Sequence, residues 1–238
     1  MQDPRTDSRA GAQLENRIGT TLRELAHEFG NLLFPLQMIL ELQAHAAPLS
    51  PDELGRILRG HIDELGVLTT RFRWVGRCLG GRMETHCTAI PCADLVQSAL
   101  EACRFPRTGG HAIRIDLDAA PDTIHADREL LQQALAELVD NAIRFTPAGT
   151  GIRIAVARQG DGVEFVVSDS GPGIAPELRS QVFEPFISGS SRLDIAAGQL
   201  GCGLAIVRRI ADIHSGTAEL RSSAAAGSQF AVRIPVEA

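Results

Sequence analysis

Seven apolar residues, Ile18, Leu22, Leu25, Phe29, Leu32, Leu36 and Ile39, recur at alternating steps of four and three. That is a heptad seam over three repeats, and only a helix gathers such residues onto one stripe. A second helical stripe, Leu54, Leu58, Ile62, Leu65, Leu68, Phe72 and Val75, runs from about Pro51 to Leu79. Ser50-Pro51-Asp52-Glu53 signals its start with a cap residue, a first-turn proline and acids for the positive end of the helix dipole. The connection Ala46–Ser50 is short, so the two helices should form an antiparallel hairpin. One hairpin cannot bury both stripes. Two copies forming a four-helix bundle can, so a homodimer is expected.

Beyond Gly80-Gly81 the periodicity changes, with Arg82–Thr88 reading as a linker. Ala93–Cys103 is amphipathic and helical, and Ala112–Leu117 alternates as a strand. Asp127–Phe145 predicts a long helix that begins after an aspartate cap. Ile152–Ala157 and Val163–Asp169 predict a hairpin across Gln159-Gly-Asp-Gly162. A short helix is expected near Pro176–Phe183, then a polar loop over Ser188–Leu200, a helix over Leu204–His214, and strands at Thr217–Arg221 and Gln229–Pro235. Such an order predicts a mixed sheet covered on one face by helices.

Composition removes several function classes. The net charge of −6 disfavours binding nucleic acid through a basic face. No run of about 18 apolar residues marks a membrane span, and Met1–Ala12 has no signal-peptide core. The five cysteines include no CxxC pair, and His86, Cys87, Cys92 and Cys103 match no zinc-finger spacing. Reduced thiols in a cytoplasmic protein are the expectation. The chain contains no lysine, so any cation that must stay charged is an arginine.

Four patches follow one another in the second half: Glu137-Leu-Val-Asp-Asn141, Asp169-Ser-Gly171-Pro-Gly173, Phe183-Glu-Pro-Phe186 and Gly201-Cys-Gly203-Leu204-Ala. Upstream, on the first helical stripe, stands His27-Glu28-Phe29-Gly30-Asn31. Each patch alone is common; Asp-Ser-Gly-Pro, for example, is an ordinary turn after a strand. Their order and spacing are not. From about Leu14 onward the chain resembles the core of a two-component sensor histidine kinase, with its H, N, G1, F and G2 boxes.

The resemblance implies an α+β chain in two domains. Residues 13–81 would form the dimerisation and histidine phosphotransfer hairpin, a dimeric four-helix bundle. Residues 88–238 would form an α/β-sandwich ATP-binding domain of the histidine kinase/gyrase type. It also implies ATP and Mg2+ as ligands and a response regulator receiver domain as partner.

Helical spacing puts Glu137, Asn141 and Arg144 on nearly one face. By resemblance Asn141 coordinates the magnesium that bridges the ATP phosphates, and Glu137, where many members have asparagine, lies near the metal or acts as a base. Arg144 replaces a usual lysine and offers a fork of donors to phosphate. The Asp169 carboxylate would accept a hydrogen bond from the adenine amino group, with Gly171 and Gly173 turning the backbone beside the base. Gly201 and Gly203 open a helix at Leu204 whose free N–H groups suit phosphate oxygens. Ser188–Leu200 would then be a lid hinged at Gly189 and Gly198.

Placed on the heptad, His27 falls at the outward f position, which suits an acceptor presented to a second domain. The H-box resemblance makes it the phosphoacceptor, with Glu28 taking or orienting the ring proton. Asn31, one turn later, would aim a water at a phosphorylated regulator and give phosphatase activity. Gly30 and Pro35 depart from the family pattern, and Pro35 should kink the helix near Asn31. The expected activity is ATP-dependent autophosphorylation of His27 and transfer to a separate receiver aspartate. The alternative, kept open by Glu137 and Arg144, is a nucleotide-binding phosphatase or scaffold with weak autokinase activity. An anti-sigma serine kinase would share the ATP fold but lack the hairpin and the histidine.

Overall fold

The computed structural model describes residues 50–79, 85–103, 110–185, 187, 201–223 and 227–236, together with 19, 30, 33, 34, 36–39 and 41. The chain divides into two compact units, with a boundary at Gly76/Arg77.

In the first unit the described residues among 19–41 are helical, and α1 spans Pro51–Leu79. Its start is a reciprocal capping box. Ser50 N–H and Oγ both donate to Glu53 Oε2, at 3.2 and 2.7 Å, and Glu53 N–H returns to Ser50 Oγ at 3.4 Å. That carboxyl is held below its usual range by the Ser50 hydroxyl and amide. Among the described residues of this unit the large apolar side chains of Leu33, Phe34, Met38 and Ile62 stand exposed.

The second unit runs β1 (Cys87–Pro91), α2 (Cys92–Glu101), β2 (Ala112–Ala119), β3 (Thr123–Asp127), α3 (Arg128–Phe145), β4 (Gly151–Gln159), β5 (Gly162–Asp169), α4 (Gly203–Ile213), β6 (Thr217–Ser223) and β7 (Gly227–Pro235). Five strands form one mixed sheet in the order β2-β4-β5-β7-β6, with β2 parallel to β4 and the other neighbours antiparallel. The strands alternate as half-buried strands must. Ile152, Ile154, Val156, Phe165, Val167, Val232 and Ile234 are buried. α3 packs on β5, and α4 packs on β6 and β7 and against α3. The intervening residues of the sheet carry ion pairs instead, Arg153 with Asp116, Arg233 with Asp161, and Arg221 with Glu164 at 2.7 Å.

The α+β ATPase-type domain with a mixed sheet therefore stands as read from sequence, with three corrections. β1 and β3, five residues each, were not expected; they pair antiparallel as a separate two-stranded sheet, Cys87 opposite Asp127. β1 starts inside the stretch read as linker. The helix expected near Pro176–Phe183 is only a 3-10 turn, Pro176–Leu178, followed by further turns.

Candidate functional site

Asp169 is the last residue of β5 and is buried, although a carboxylate there must leave water. Two backbone donors compensate it. Gly171 N–H and Ser228 N–H donate to the same oxygen, Oδ1, at 2.8 and 3.3 Å. The ladder sets the second bond, because Asp169 sits opposite Ser228 in the β5–β7 register. With both donors on Oδ1, the other oxygen keeps its acceptor capacity while the carboxylate is held in one orientation.

Glycines make this approach possible. A Cβ on Gly171 would lie 2.8 Å from Asp169 Oδ1 and 2.8 Å from the Phe145 carbonyl oxygen. The end of α3 and the Asp169 turn therefore meet across a residue with no side chain. Gly227 has φ +79°, and a Cβ there would collide with the Asp169 carbonyl. Gly173 likewise takes a left-handed φ of 72°.

α3 supplies the second wall. Its start is fixed by Asp127, whose carboxylate accepts from Leu130 N–H at 3.1 Å. Glu137 is buried and accepts from Gln133 Nε2 at 2.8 Å, whereas Asn141 and Arg144 are half-buried. Glu137 therefore points into packed protein rather than into solvent. The Arg144 guanidinium lies 4.3 Å from the centre of the Phe145 ring, a cation–π contact, and Phe145 itself is 45 % exposed.

The third wall is the start of α4. Its N-cap is Cys202, whose side chain makes no capping hydrogen bond, and the first turn carries no acid of its own. Gly201 takes φ +62° against the Ile187 carbonyl, 2.7 Å from where a Cβ would be. Gly203 presses on α3: a Cβ would lie 2.6 Å from Glu137 Oε2. Leu204 follows, half-buried. Phe183 packs edge-on against Phe230 at 6.3 Å, a packing role with no chemistry.

The structure thus places Glu137, Asn141, Arg144, Asp169, Gly171, Gly173, Gly201, Gly203 and Leu204 within one unit, and direct contacts tie Glu137 to Gly203 and Asp169 to Gly171. His27, Glu28 and Asn31, Phe186, and the Ser188–Leu200 loop with its hinges Gly189 and Gly198, lie outside the described residues. Sequence reading missed Ser228, whose amide holds Asp169, and Phe145, whose backbone carbonyl packs against Gly171. The signal for Ser228 was the preceding glycine, which the alternating pattern of β7 hides.

Residues 126–238 match the family described as histidine kinase-, DNA gyrase B-, and HSP90-like ATPase. The sensor-like histidine kinase SenX3 of Mycobacterium tuberculosis is 33 % identical over 174 residues, 73 % of this chain and 42 % of that protein. The histidine kinase AdeS of Acinetobacter baumannii superposes with a TM-score of 0.66 at 22 % identity, covering 89 % of this chain and 98 % of that one, a likeness of fold. ShkA, solved in complex with AMPPNP, superposes with a TM-score of 0.65 at 26 % identity, covering 90 % of this chain and 45 % of that one. The chain spans less than half the length of the curated relatives it matches. Residues 126–238 are therefore a domain of the histidine kinase-, DNA gyrase B- and HSP90-like ATPase family, in a chain whose curated relatives are sensor histidine kinases.

Proposed function

We propose that the chain is the core of a sensor histidine kinase, which binds ATP at this site and transfers the γ-phosphoryl group to His27, then to an aspartate of a response regulator receiver domain. Asp169 carries the reading. It is a buried carboxylate at a strand end, oriented by two N–H groups on one oxygen, with the other oxygen able to accept from the amino group of a base. The Phe145 backbone carbonyl backs the same turn, close against Gly171. ShkA was solved with AMPPNP, an ATP analogue, which supports the same ligand class here.

The phosphates belong at the uncapped start of α4, with Arg144 offering the donor fork that a lysine gives elsewhere. Glu137 then raises a question of charge, because its carboxylate lies against that same helix end. Carboxylate and phosphate repel unless a cation lies between them. Glu137 and Asn141 both offer oxygen donors from α3. Among the described residues no group of three or more His, Cys, Asp or Glu side chains could hold a metal alone. That donor set suits Mg2+, which keeps waters and phosphate oxygens among its ligands. When bound, the ion neutralises phosphate charge as it develops.

His27 is the proposed acceptor, Glu28 the group that takes or orients its proton, and Asn31 the residue that aims a water in the phosphatase direction. These assignments rest on the H-box resemblance. Residues 13–81 are proposed as the dimerisation hairpin and 88–238 as the ATP-binding domain. A homodimer is supported by Phe34 and Met38 beside the first stripe and by Ile62 on α1, apolar side chains left exposed in one copy. No described helix is long and apolar enough to cross a membrane, and a cytoplasmic location is proposed from the reduced-thiol composition.

Glu137 favours a second reading, a nucleotide-binding phosphatase or scaffold with weak autokinase activity, because a buried acid replaces an amide beside the phosphate end. Incubation with γ-labelled ATP and magnesium separates the two: an acid-labile label supports the kinase, and bound nucleotide without label supports the scaffold.

A further inference from the structure

Asp127 is a meeting point of four elements. It ends β3, pairs with Cys87 at the head of β1, caps α3, and bonds to the residue that closes α4. Its Oδ1 accepts from Leu130 N–H at 3.1 Å and its Oδ2 from His86 N–H at 2.8 Å. Its own N–H donates to His214 Nε2 at 3.1 Å. His214 is 2 % exposed, and its Nδ1 lies 2.8 Å from the Ile210 carbonyl. Because Nε2 accepts, Nδ1 carries the proton and donates to that carbonyl. Both carboxylate oxygens of Asp127 and both ring nitrogens of His214 are engaged, and the bond joins residues 87 positions apart.

A second contact lies further along the same two helices. Glu137 stands ten residues after Asp127, and Gly203 eleven residues before His214. Gly203 is where a Cβ would lie 2.6 Å from Glu137 Oε2. At the rise of an α-helix these separations are about 15 and about 16.5 Å, so the two antiparallel helices are matched at both points. We infer that His214 is a positioning residue for the nucleotide site: its bond to Asp127 sets the axial register of α4 on α3, and with it the height of the α4 N–H groups relative to Asn141. The inference rests on the nucleotide reading above and deepens it.

The consequence is selective. A slip of one residue moves the α4 start by about 1.5 Å, enough to take an N–H group out of hydrogen-bond range of a phosphate oxygen. Asp169 stands outside that register, held by Gly171 and Ser228. Loss of the His214 bond therefore weakens the grip on phosphates and spares the grip on the base. A residue needed only for stability would weaken both alike.

The test uses the full chain, with ATP and adenosine titrated in magnesium and followed by NMR, and with circular dichroism as a check of fold. His214→Asn places an amide nitrogen near the Nδ1 position but is too short to meet the Asp127 N–H. His214→Gln carries its oxygen to the Nε2 position and accepts that N–H. We expect the Asn variant to lose roughly tenfold or more in ATP affinity with adenosine within about twofold, and the Gln variant to stay within about threefold for both. Equal losses for the two ligands, or Asn and Gln variants that behave alike, would overturn the inference. So would an Asn variant that unfolds, because the bond would then hold the domain together and set no register. A wild-type chain that binds neither ligand would overturn the nucleotide reading itself, and this inference with it.

Discussion

Gly203 and Glu137 occupy each other's space: a single methyl group on Gly203 would lie 2.6 Å from the Glu137 carboxylate. The contact joins the helix end proposed to face phosphate to the helix that carries Asn141, so a glycine is needed there for packing. Gly203→Ala forces the Glu137 carboxylate to shift from its place against the α4 start. We expect ADP affinity to fall by roughly tenfold, about 1.4 kcal/mol, with the fold retained. Glu137→Ala in the same chain removes the clash, so the thermal stability lost in Gly203→Ala should return. Additive losses in the double variant, read by calorimetry, would show that the two residues do not interact.

Asp169→Asn is a sharper probe than its small size suggests. Its Oδ1 must stay toward the Gly171 and Ser228 amides, so the new NH2 group falls where the free oxygen was. The acceptor proposed for the adenine amino group becomes a donor facing a donor. ADP affinity should drop at least tenfold, because a hydrogen bond to a charged group is worth roughly 1.5–3 kcal/mol. Unchanged ADP binding by isothermal calorimetry would move the base to another part of the domain.

Ser215 tests the local physics of the turn after α4. It is the described non-glycine residue with a positive φ, 56°, and it is exposed. The left-handed conformation costs a residue with a Cβ roughly 1–2 kcal/mol, partly offset by the greater freedom of glycine in the unfolded chain. Ser215→Gly should therefore stabilise the chain by about 0.5–1 kcal/mol and raise Tm by a few degrees. A lower Tm would mean that the serine side chain has a role its exposure does not suggest. The neighbouring Gly216 cannot be exchanged, since a Cβ there would run into the Arg233 carbonyl.

What the sequence made legible depended on how local each signal was. α3 was readable because its cap, Asp127, and its apolar period lie within one continuous stretch. The β4–β5 hairpin was readable because Gly160 and Gly162 flank a tight connection between alternating runs. β1 and β3 escaped because each has five residues, one ends in Pro91, and their pairing crosses the whole of α2 and β2. Asp169 could be named from its glycine-rich turn, but Ser228, which orients it, lies 59 residues away and shows only in the sheet register. His214 stands in no motif of the sequence, at the end of an expected helix; only the fold reveals its bond to Asp127.

The phosphoacceptor is the most direct test of the whole account. The chain should be incubated with γ-labelled ATP and magnesium beside a His27→Gln variant, the label examined for acid lability, and ADP affinity measured for both proteins. The account predicts an acid-labile, alkali-stable label on the wild type, none on the variant, and equal ADP affinity, since Asp169 and Asn141 belong to a different unit of the chain. Label that persists in His27→Gln, or a wild type that binds ADP without ever becoming labelled, would contradict it.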